Sequence, residues 1–267
     1  MEPSGSRVRI SVTGLDKRYR SAGGEVNAVE NVSFDVRQGE FVALLGPSGC
    51  GKSTILNMVA GLLERSGGTI GIDGENVRHG YVNRKVGYVF QRDTVFPWRT
   101  VEANIGYGLE IAGVARAERQ ARVERAIEVA GLSGFGRSFP RTLSGGMRQR
   151  VALMRTLIME PEILLMDEPF GALDTHTKLE MHKTLLEIWE RERQTVLFVT
   201  HDLGEALTLS SRIILLSARP GRLKEDFEVP FVRPRDAVSL RETAEFGRLY
   251  SHIWHSLGEE FRLTKAE

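Results

Sequence analysis

The stretch GPSGCGKS (Gly46–Ser53) fits the phosphate-loop pattern G-x-x-x-x-G-K-S. The apolar run 41–45 precedes it, and apolar residues at helical spacing follow it over 54–63. In such a loop, glycines let successive backbone N–H groups point at a phosphate, and the positive end of the following helix adds to the attraction. Lys52 would place its charge near the β and γ oxygens, and Ser53 would bind Mg²⁺. The stretch therefore predicts a nucleotide site on a strand-loop-helix unit.

An apolar run that ends in two acids, ILLMDE (Ile163–Glu168), predicts a buried parallel strand with two carboxylates at its end. Carboxylates in that place are costly unless they face a cation or water. We expect Asp167 to bind Mg²⁺ and Glu168 to act as the general base that activates water.

A second glycine-rich segment, LSGGM (Leu143–Met147), opens a helical pattern that runs to about residue 159. Taken alone, it could be a helix N-cap with flexible glycines. If this segment binds a phosphate, it needs one in addition to the phosphate held at Gly46–Ser53. A monomer that binds one nucleotide does not supply it.

The order of patterns along the chain predicts an α/β fold. Strand-like alternation before residue 45 indicates a hairpin layer, and the pattern from 101 to 158 is helical. From 163 to 217 strands and helices alternate, which predicts a largely parallel sheet with ligands at the carboxyl ends of its strands. A further amphipathic helix after Pro230 is expected to pack on the parent domain.

Composition restricts the partners. The chain has 267 residues, with 36 Lys and Arg against 35 Asp and Glu, so its net charge of +1 gives no field that would favour nucleic acid or acidic lipid. The longest apolar runs fall far short of the ~20 residues that cross a bilayer. With one cysteine, Cys50, and no basic-then-apolar leader, we expect a cytosolic protein in which Cys50 packs inside its loop.

Several strings together resemble the nucleotide-binding subunit of ABC transporters over about Val8–Arg222. They are GPSGCGKST, LSGGMRQR, ILLMDEP, FGALD (Phe170–Asp174), Gln91 after a strand and His201 after another. The resemblance implies an ATPase with ATP and Mg²⁺ as cofactors. It also implies a RecA-like phosphate-loop NTPase core with a mostly parallel sheet, an antiparallel β subdomain and an inserted helical subdomain. We expect the domain to span 1–229, with the helical subdomain at about 93–160 and a C-terminal extension at 230–267.

The resemblance also implies roles for single residues. Tyr19 would stack on adenine, although packing within the hairpin layer is an open alternative for this residue. Gln91 would reach Mg²⁺ and the attacking water, and His201 would contact the γ-phosphate. With Lys52 and Glu168 these two residues complete the expected catalytic group. The expected phosphate-loop contacts to ATP are Gly46, Pro47, Ser48, Gly49, Cys50, Gly51, Lys52, Ser53 and Thr54.

In the family that the chain resembles, the second glycine-rich segment binds the γ-phosphate of ATP held by the opposing subunit. Ser144, Gly145 and Gly146 would do so here, and Leu173-Asp174 would lie at the subunit contact. The resemblance therefore implies a homodimer that encloses two ATP molecules, which would give the second cradle its phosphate.

Two further strings, at 96–100 and 216–222, are similar to those of importers for nitrate, sulfonates and taurine. Such a subunit would work with membrane permease subunits and, indirectly, an extracytoplasmic solute-binding protein, as a peripheral protein at the cytoplasmic face of the inner membrane, without nucleic acid. An exporter subunit and a nucleic-acid or ribosome-associated ABC ATPase are the alternatives. Phe96 and Trp98 could serve as a permease docking surface, or could pack the helical subdomain.

Three histidines, His182, His252 and His255, have no companions at metal-ligand spacing. We expect all three to be solvated.

Overall fold

The computed structural model describes residues 7–21, 24–81 and 83–264. The outermost residues of the two predicted domains, 1–6 and 265–267, lie outside this part of the chain. The strands are β1 Val8–Ser21, β2 Gly24–Arg37, β3 Phe41–Leu45, β4 Gly67–Ile72, β5 Glu75–Asn76, β6 Val86–Val89, β7 Ile163–Asp167, β8 Thr195–Thr200, β9 Arg212–Leu216 and β10 Leu223–Glu228. The α-helices are α1 Lys52–Val59, α2 Val101–Ile105, α3 Tyr107–Ile111, α4 Arg116–Val129, α5 Gly145–Leu157, α6 Thr175–Glu192, α7 Leu203–Leu209 and α8 Ala244–Thr264.

The strands form two sheets. An antiparallel sheet has the order β2-β1-β4-β5, and a six-stranded sheet has the order β10-β9-β3-β8-β7-β6. In the larger sheet β9, β3, β8, β7 and β6 run parallel, and only the edge strand β10 is antiparallel. Residues 93–160 carry α2 to α5. The predicted α/β class, with a mostly parallel sheet, an antiparallel β layer and an inserted helical block, is confirmed.

The inner strands of the larger sheet, β3, β7, β8 and β9, are buried on both faces, which explains their continuous apolar runs. Along β3, Phe41, Ala43 and Leu45 join one apolar cluster with the helices of the insert and the C-terminal part. Val42 and Leu44 point the other way, into a second cluster with α1 and the antiparallel sheet. Both clusters hold β3 in place, and the phosphate loop begins at the end of that strand.

The loop between β6 and α2 is fixed by one buried amide. The Asn104 side chain accepts a hydrogen bond from Phe96 N at 2.7 Å and donates to the carbonyls of Phe96, Arg99 and Thr100 at 3.0–3.1 Å. Phe96 also packs against the ring of Tyr107. The packing alternative for Phe96 is therefore present in the structure, and its use in docking stays a prediction.

The C-terminal helix α8 packs on the rest of the chain as expected. Ile253 is 0% exposed and Leu257 1% exposed, and both belong to the main apolar cluster. Strand β10 was missed by the sequence analysis because its sequence, LKEDFE, has the polar character of an exposed edge.

The prediction that His182 is solvated is wrong, because this side chain is 0% exposed. It shares the inner stripe of α6 with Met181, Leu185 and Leu186, and its ring meets Phe170 edge-on at 4.7 Å between centroids. Burial lowers the pKa of His182 to about 3. The other two histidines, His252 and His255, are exposed as predicted.

Candidate active site

Four neighbouring parallel strands end at one edge of the larger sheet, and each carries a predicted site residue there. The phosphate loop follows β3, His201 follows β8, Asp167 and Glu168 end β7, and Gln91 follows β6. Because parallel strands present their carboxyl ends at the same edge, residues far apart in the sequence meet in one place.

The phosphate loop has the backbone that its glycines were expected to allow. Gly49 and Gly51 have φ of 79° and 102°. A Cβ at Gly51 would also stand only 2.8 Å from Ala28 O, so this position excludes a side chain on two grounds. The Lys52 ammonium donates to Gly46 O and Pro47 O at 2.8 Å each and is buried. Its charge therefore lies within the loop, against the carbonyls of the first two loop residues.

A hydroxyl and a carboxylate come together beside the loop. Ser53 Oγ donates to Asp167 Oδ1 at 2.7 Å. Burial raises the pKa of Asp167, the nearby charge of Glu168 raises it further, and Ser53 and Lys52 act in the opposite direction. An oxygen-only pair of this kind fits a hard cation such as Mg²⁺, which binds proteins through one or two such groups.

Glu168 lies at the centre of the group. Its backbone has φ of 44°, and its N–H donates to Val199 O at 3.0 Å, which locks the residue against β8. Its Oε2 accepts a hydrogen bond from Gln91 Nε2 at 3.1 Å and lies 3.1 Å from His201 Nδ1. Two of the predicted catalytic side chains, Gln91 and His201, thus both contact a third, Glu168.

Behind His201 lies a polar network that the sequence analysis missed. Thr200 Oγ1 donates to Glu205 Oε2 at 2.7 Å, and the buried Glu205 pairs with Lys178 at 2.7 Å. Asp202 caps α7 by accepting from Glu205 N at 3.1 Å. The pattern D-x-x-E directly after His201 is a helix-start signal that could have located this network.

The second glycine-rich segment lies at the start of α5. Ser144 is exposed, and its Oγ accepts a hydrogen bond from Met147 N at 3.2 Å as the helix N-cap. A Cβ at Gly146 would stand 3.1 Å from Leu173 in the segment before α6. Within the described residues, the Ser144 side chain bonds only inside its own turn, so the structure does not bring this segment into the group around Glu168.

Two other predicted residues lie at the margins of the group. Tyr19, on β1, is 40% exposed, with the Lys17 ammonium 5.0 Å from its ring centre. Its adenine contact stays a prediction. Cys50 is 1% exposed, and burial raises the pKa of its thiol, which agrees with the expected packing role.

No helix of the described residues combines the length and the apolar character that a membrane span requires.

Comparison with known proteins agrees with this geometry. The family described as "ABC transporter" matches residues 29–171. An uncharacterised ABC transporter ATP-binding protein of Methanocaldococcus jannaschii is 45% identical over 88% of this chain and 87% of its own length. A taurine import ATP-binding protein of Rhizobium johnstonii is 46% identical over 86% of this chain and 89% of its own. An aliphatic sulfonates import ATP-binding protein of Bacillus cereus is 41% identical over 87% of this chain and 92% of its own.

Among solved structures, a dimeric ATP-binding cassette in a post-hydrolysis state with ADP and Pi superimposes with a TM-score of 0.75 at 30% identity. The match covers 84% of this chain and all of the other. The chain therefore belongs to the ABC transporter family, as an ATP-binding subunit with ATPase activity, and the resemblance stated from its sequence is confirmed.

Proposed function

We propose that the chain is the ATP-hydrolysing subunit of an importer, which works as a homodimer with Mg²⁺ and drives a separate membrane permease. The observation that carries this proposal is the convergence of Gln91 and His201 on one carboxylate oxygen of Glu168, beside the phosphate loop and Asp167. A base, an amide that positions the water and an imidazole for the γ-phosphate, gathered at one point, suit the attack of water on that phosphate.

Each residue then has a defined task. The phosphate-loop amides and Lys52 hold the phosphates and offset their charge. Glu168 accepts the proton of the attacking water, which Gln91 orients, and His201 contacts the γ-phosphate. Ser53 and Asp167 would hold Mg²⁺, which, when bound, neutralises the charge on the phosphate oxygens.

The homodimer rests on the exposed second cradle. Ser144 is free of the site in its own chain, and its helix N-terminus is a suitable anion site for a γ-phosphate presented by another copy. The similar cassettes in solved structures are described as dimeric, one of them with ADP and Pi. ATP would favour the closed dimer because only there does its γ-phosphate meet Ser144, and hydrolysis would remove that contact.

The membrane partners are inferred from relatives and from one surface. Relatives 41–46% identical to this chain bear the names of taurine and aliphatic sulfonate import proteins, which supports import of a small sulfonate. Trp98, 72% exposed beside Phe96, offers an apolar surface for the permease at the cytoplasmic face of the membrane. A solute-binding protein would act through that permease, and a net charge of +1 gives no support for nucleic acid as a partner.

The test is Glu168→Gln, in the purified chain and in the chromosome of the host. We expect ATP hydrolysis to fall by about 10²–10⁴-fold, because the base is lost while the shape of the side chain is kept. Binding of ATP, measured by equilibrium dialysis, should be retained. The host should lose growth on taurine or another sulfonate as its only sulphur source and should grow normally on sulfate.

Glu187→Gln, at an exposed position of α6, is the matched control and should leave both readouts unchanged. Normal ATP turnover by the Glu168 variant would refute the assignment of the base. Lost turnover with unchanged growth on sulfonates would refute the proposed solute class and leave the ATPase assignment standing.

A further inference from the structure

The phosphate loop rests on a turn from a distant part of the chain, Ser217–Arg222, which we call the support turn. A Cβ at Gly221 would overlap the carbonyl oxygen of Cys50 in the middle of the loop. At the start of the loop, a Cβ at Gly46 would stand 3.0 Å from Leu216 O. Gly221 of the support turn and Leu216, the residue of β9 just before it, therefore lie so close to the loop that neither Gly221 nor Gly46 could carry a side chain without a shift.

Backbone hydrogen bonds tie the support turn to β2 at the same place. Gly221 N donates to Ala28 O, and Glu30 N donates to Gly221 O, both at 3.0 Å. Ala28 O is also the atom that a Cβ at Gly51 would meet. The support turn, β2 and the phosphate loop thus meet at Ala28 O.

The hydroxyl of Ser217 stabilises the support turn through hydrogen bonds inside the turn. Ser217 Oγ donates to Pro220 O, and Arg222 N donates to Ser217 Oγ, at 3.0 Å each. Ser217 N donates to Arg222 O at 2.9 Å and closes the turn. A displacement of any part of the turn would therefore move Gly221.

A buried carboxylate of α8, Glu260, forms a hydrogen bond with the backbone of the support turn. Glu260 is 5% exposed; its Oε2 accepts a hydrogen bond from Ala218 N at 2.7 Å, and its Oε1 lies 2.8 Å from Lys224 Nζ. A buried carboxylate is tolerated only when its oxygens have such partners. The helix itself is anchored by Ile253 and Leu257 in the main cluster.

The negative charge of Glu260 affects the pKa of Cys50, which lies in the phosphate loop. Burial raises the pKa of the Cys50 thiol, Lys52 lowers it, and the negative charge of Glu260 raises it further. Cys50 is the only cysteine of the chain, so its reactivity reports on this part of the loop alone.

We infer that Glu260 is a positioning residue for nucleotide binding: through the support turn, α8 holds the phosphate loop in the shape that receives the phosphates. The inference rests on the proposed function only in that the loop binds ATP. The geometry gives the C-terminal helix a task in the active site, about 200 residues after the loop that it steadies.

The experiment measures alkylation of Cys50 by iodoacetamide in Glu260→Gln. A glutamine offers one acceptor oxygen, so either Ala218 N or Lys224 Nζ would face an amide NH₂ group instead of an acceptor. We expect alkylation to become about tenfold faster, because the loop opens more often and the thiolate forms more readily. The KM for ATP should rise by a similar factor, with kcat within about twofold, because the loss falls on binding and not on the chemical step.

Glu259→Gln is the matched control. Glu259 is the neighbouring acid, is exposed and also pairs with Lys224, but accepts nothing from the support turn. This variant loses the same charge and should keep wild-type alkylation and KM. Glu260→Asp, which keeps the charge, should recover part of the wild-type KM.

The outcomes separate the inference from the proposed function. If ATP fails to slow alkylation of Cys50 in the wild-type protein, the nucleotide site itself is wrong. If ATP protects the wild-type protein but the Glu260 and Glu259 variants match it in alkylation and KM, the inference is overturned, even if the melting temperature falls. Should Glu260→Gln not fold, Glu260→Asp takes its place: the shorter side chain weakens the bond to Ala218 N while the charge is kept, so alkylation and the KM for ATP should both rise, by a smaller factor.

Discussion

The two glycine-rich segments of this chain differ in what their glycines do. In the phosphate loop, Gly49 and Gly51 take positive φ, and a side chain at Gly51 would collide with β2. In the second segment, Gly145 does not have positive φ, and a Cβ there would meet only the end of the Arg148 side chain at 3.8 Å. The glycines of the phosphate loop are required by the fold of the monomer. In the second segment Gly146 lies close to Leu173, whereas Gly145 leaves space in front of an exposed helix N-terminus.

The difference indicates where each half of the site is completed. The phosphate loop is enclosed by β2, the support turn and the ends of the parallel strands of its own chain. The second segment is open, which suits a ligand that arrives with another copy. Three sets of substitutions test this contrast.

The largest effect is expected for Ser144→Arg. A large cation in front of the α5 N-terminus removes the capping hydroxyl and blocks the approach of a second copy, so ATP hydrolysis should fall by at least about 10²-fold. Binding of ATP to the monomer, followed by equilibrium dialysis, should stay at the wild-type level. Gln120→Arg, at an exposed position of α4, adds the same charge elsewhere and should leave hydrolysis intact. Full hydrolysis by the Ser144 variant would show that each chain completes its own site.

Two glycine substitutions test whether the two segments differ in how much their glycines matter for the stability of the monomer. Gly51→Ala places a side chain at φ of 102° against Ala28 O and should lower the free energy of unfolding by about 1–3 kcal/mol. Gly145→Ala lies in the first turn of a helix with room for a methyl group, and should leave that free energy unchanged or raise it by up to ~1 kcal/mol.

Urea denaturation of the two variants checks this pair, and ATP hydrolysis supplies the second readout. Gly145→Ala should lose hydrolysis without losing stability, because its methyl group intrudes where the phosphate of the other copy is expected. Equal destabilisation by Gly51→Ala and Gly145→Ala would contradict the proposal that only the phosphate loop needs its glycines for the fold of the monomer.

The third prediction concerns His182, whose ring packs against Phe170. Phe170 belongs to the segment that leads to Leu173, beside Gly146 of the second glycine-rich segment. Its folded pKa of about 3 is below the ordinary 6.5, so the unfolded chain binds the proton more readily. The stability that a neutral His182 contributes is therefore complete above pH 6.5 and is lost as the pH falls toward 3, by about 1.4 kcal/mol per unit at most.

His182→Leu should flatten the dependence of the unfolding free energy on pH between 6.5 and 4. His176→Leu, at an exposed position of the same helix, should keep the wild-type slope. An unchanged slope in the His182 variant would assign the acid sensitivity to other groups.

Much of the site could be predicted from the sequence because its parts are local. The phosphate loop needs only its own glycines, Lys52 and the flanking strand and helix, and the two acids after β7 stand out against an apolar run. The pairing of Gln91 with Glu168, however, joins residues 77 positions apart and depends on β6 lying beside β7. The resemblance to a family supplied the expectation that Gln91 acts in the same catalytic group as Glu168, which periodicity alone did not contain.

What the sequence by itself determined was the chemistry of each segment: a phosphate cradle, an acidic strand end, a capped glycine-rich helix start and the alternation of an α/β sheet. The tertiary structure alone decided that His182 is buried, that LKEDFE forms an edge strand, and that Glu260 of α8 reaches the turn beneath the phosphate loop. The physical reason is one of range. Local patterns are set by backbone preferences over a few residues, whereas burial and long-range hydrogen bonds depend on which elements the order of the strands places side by side.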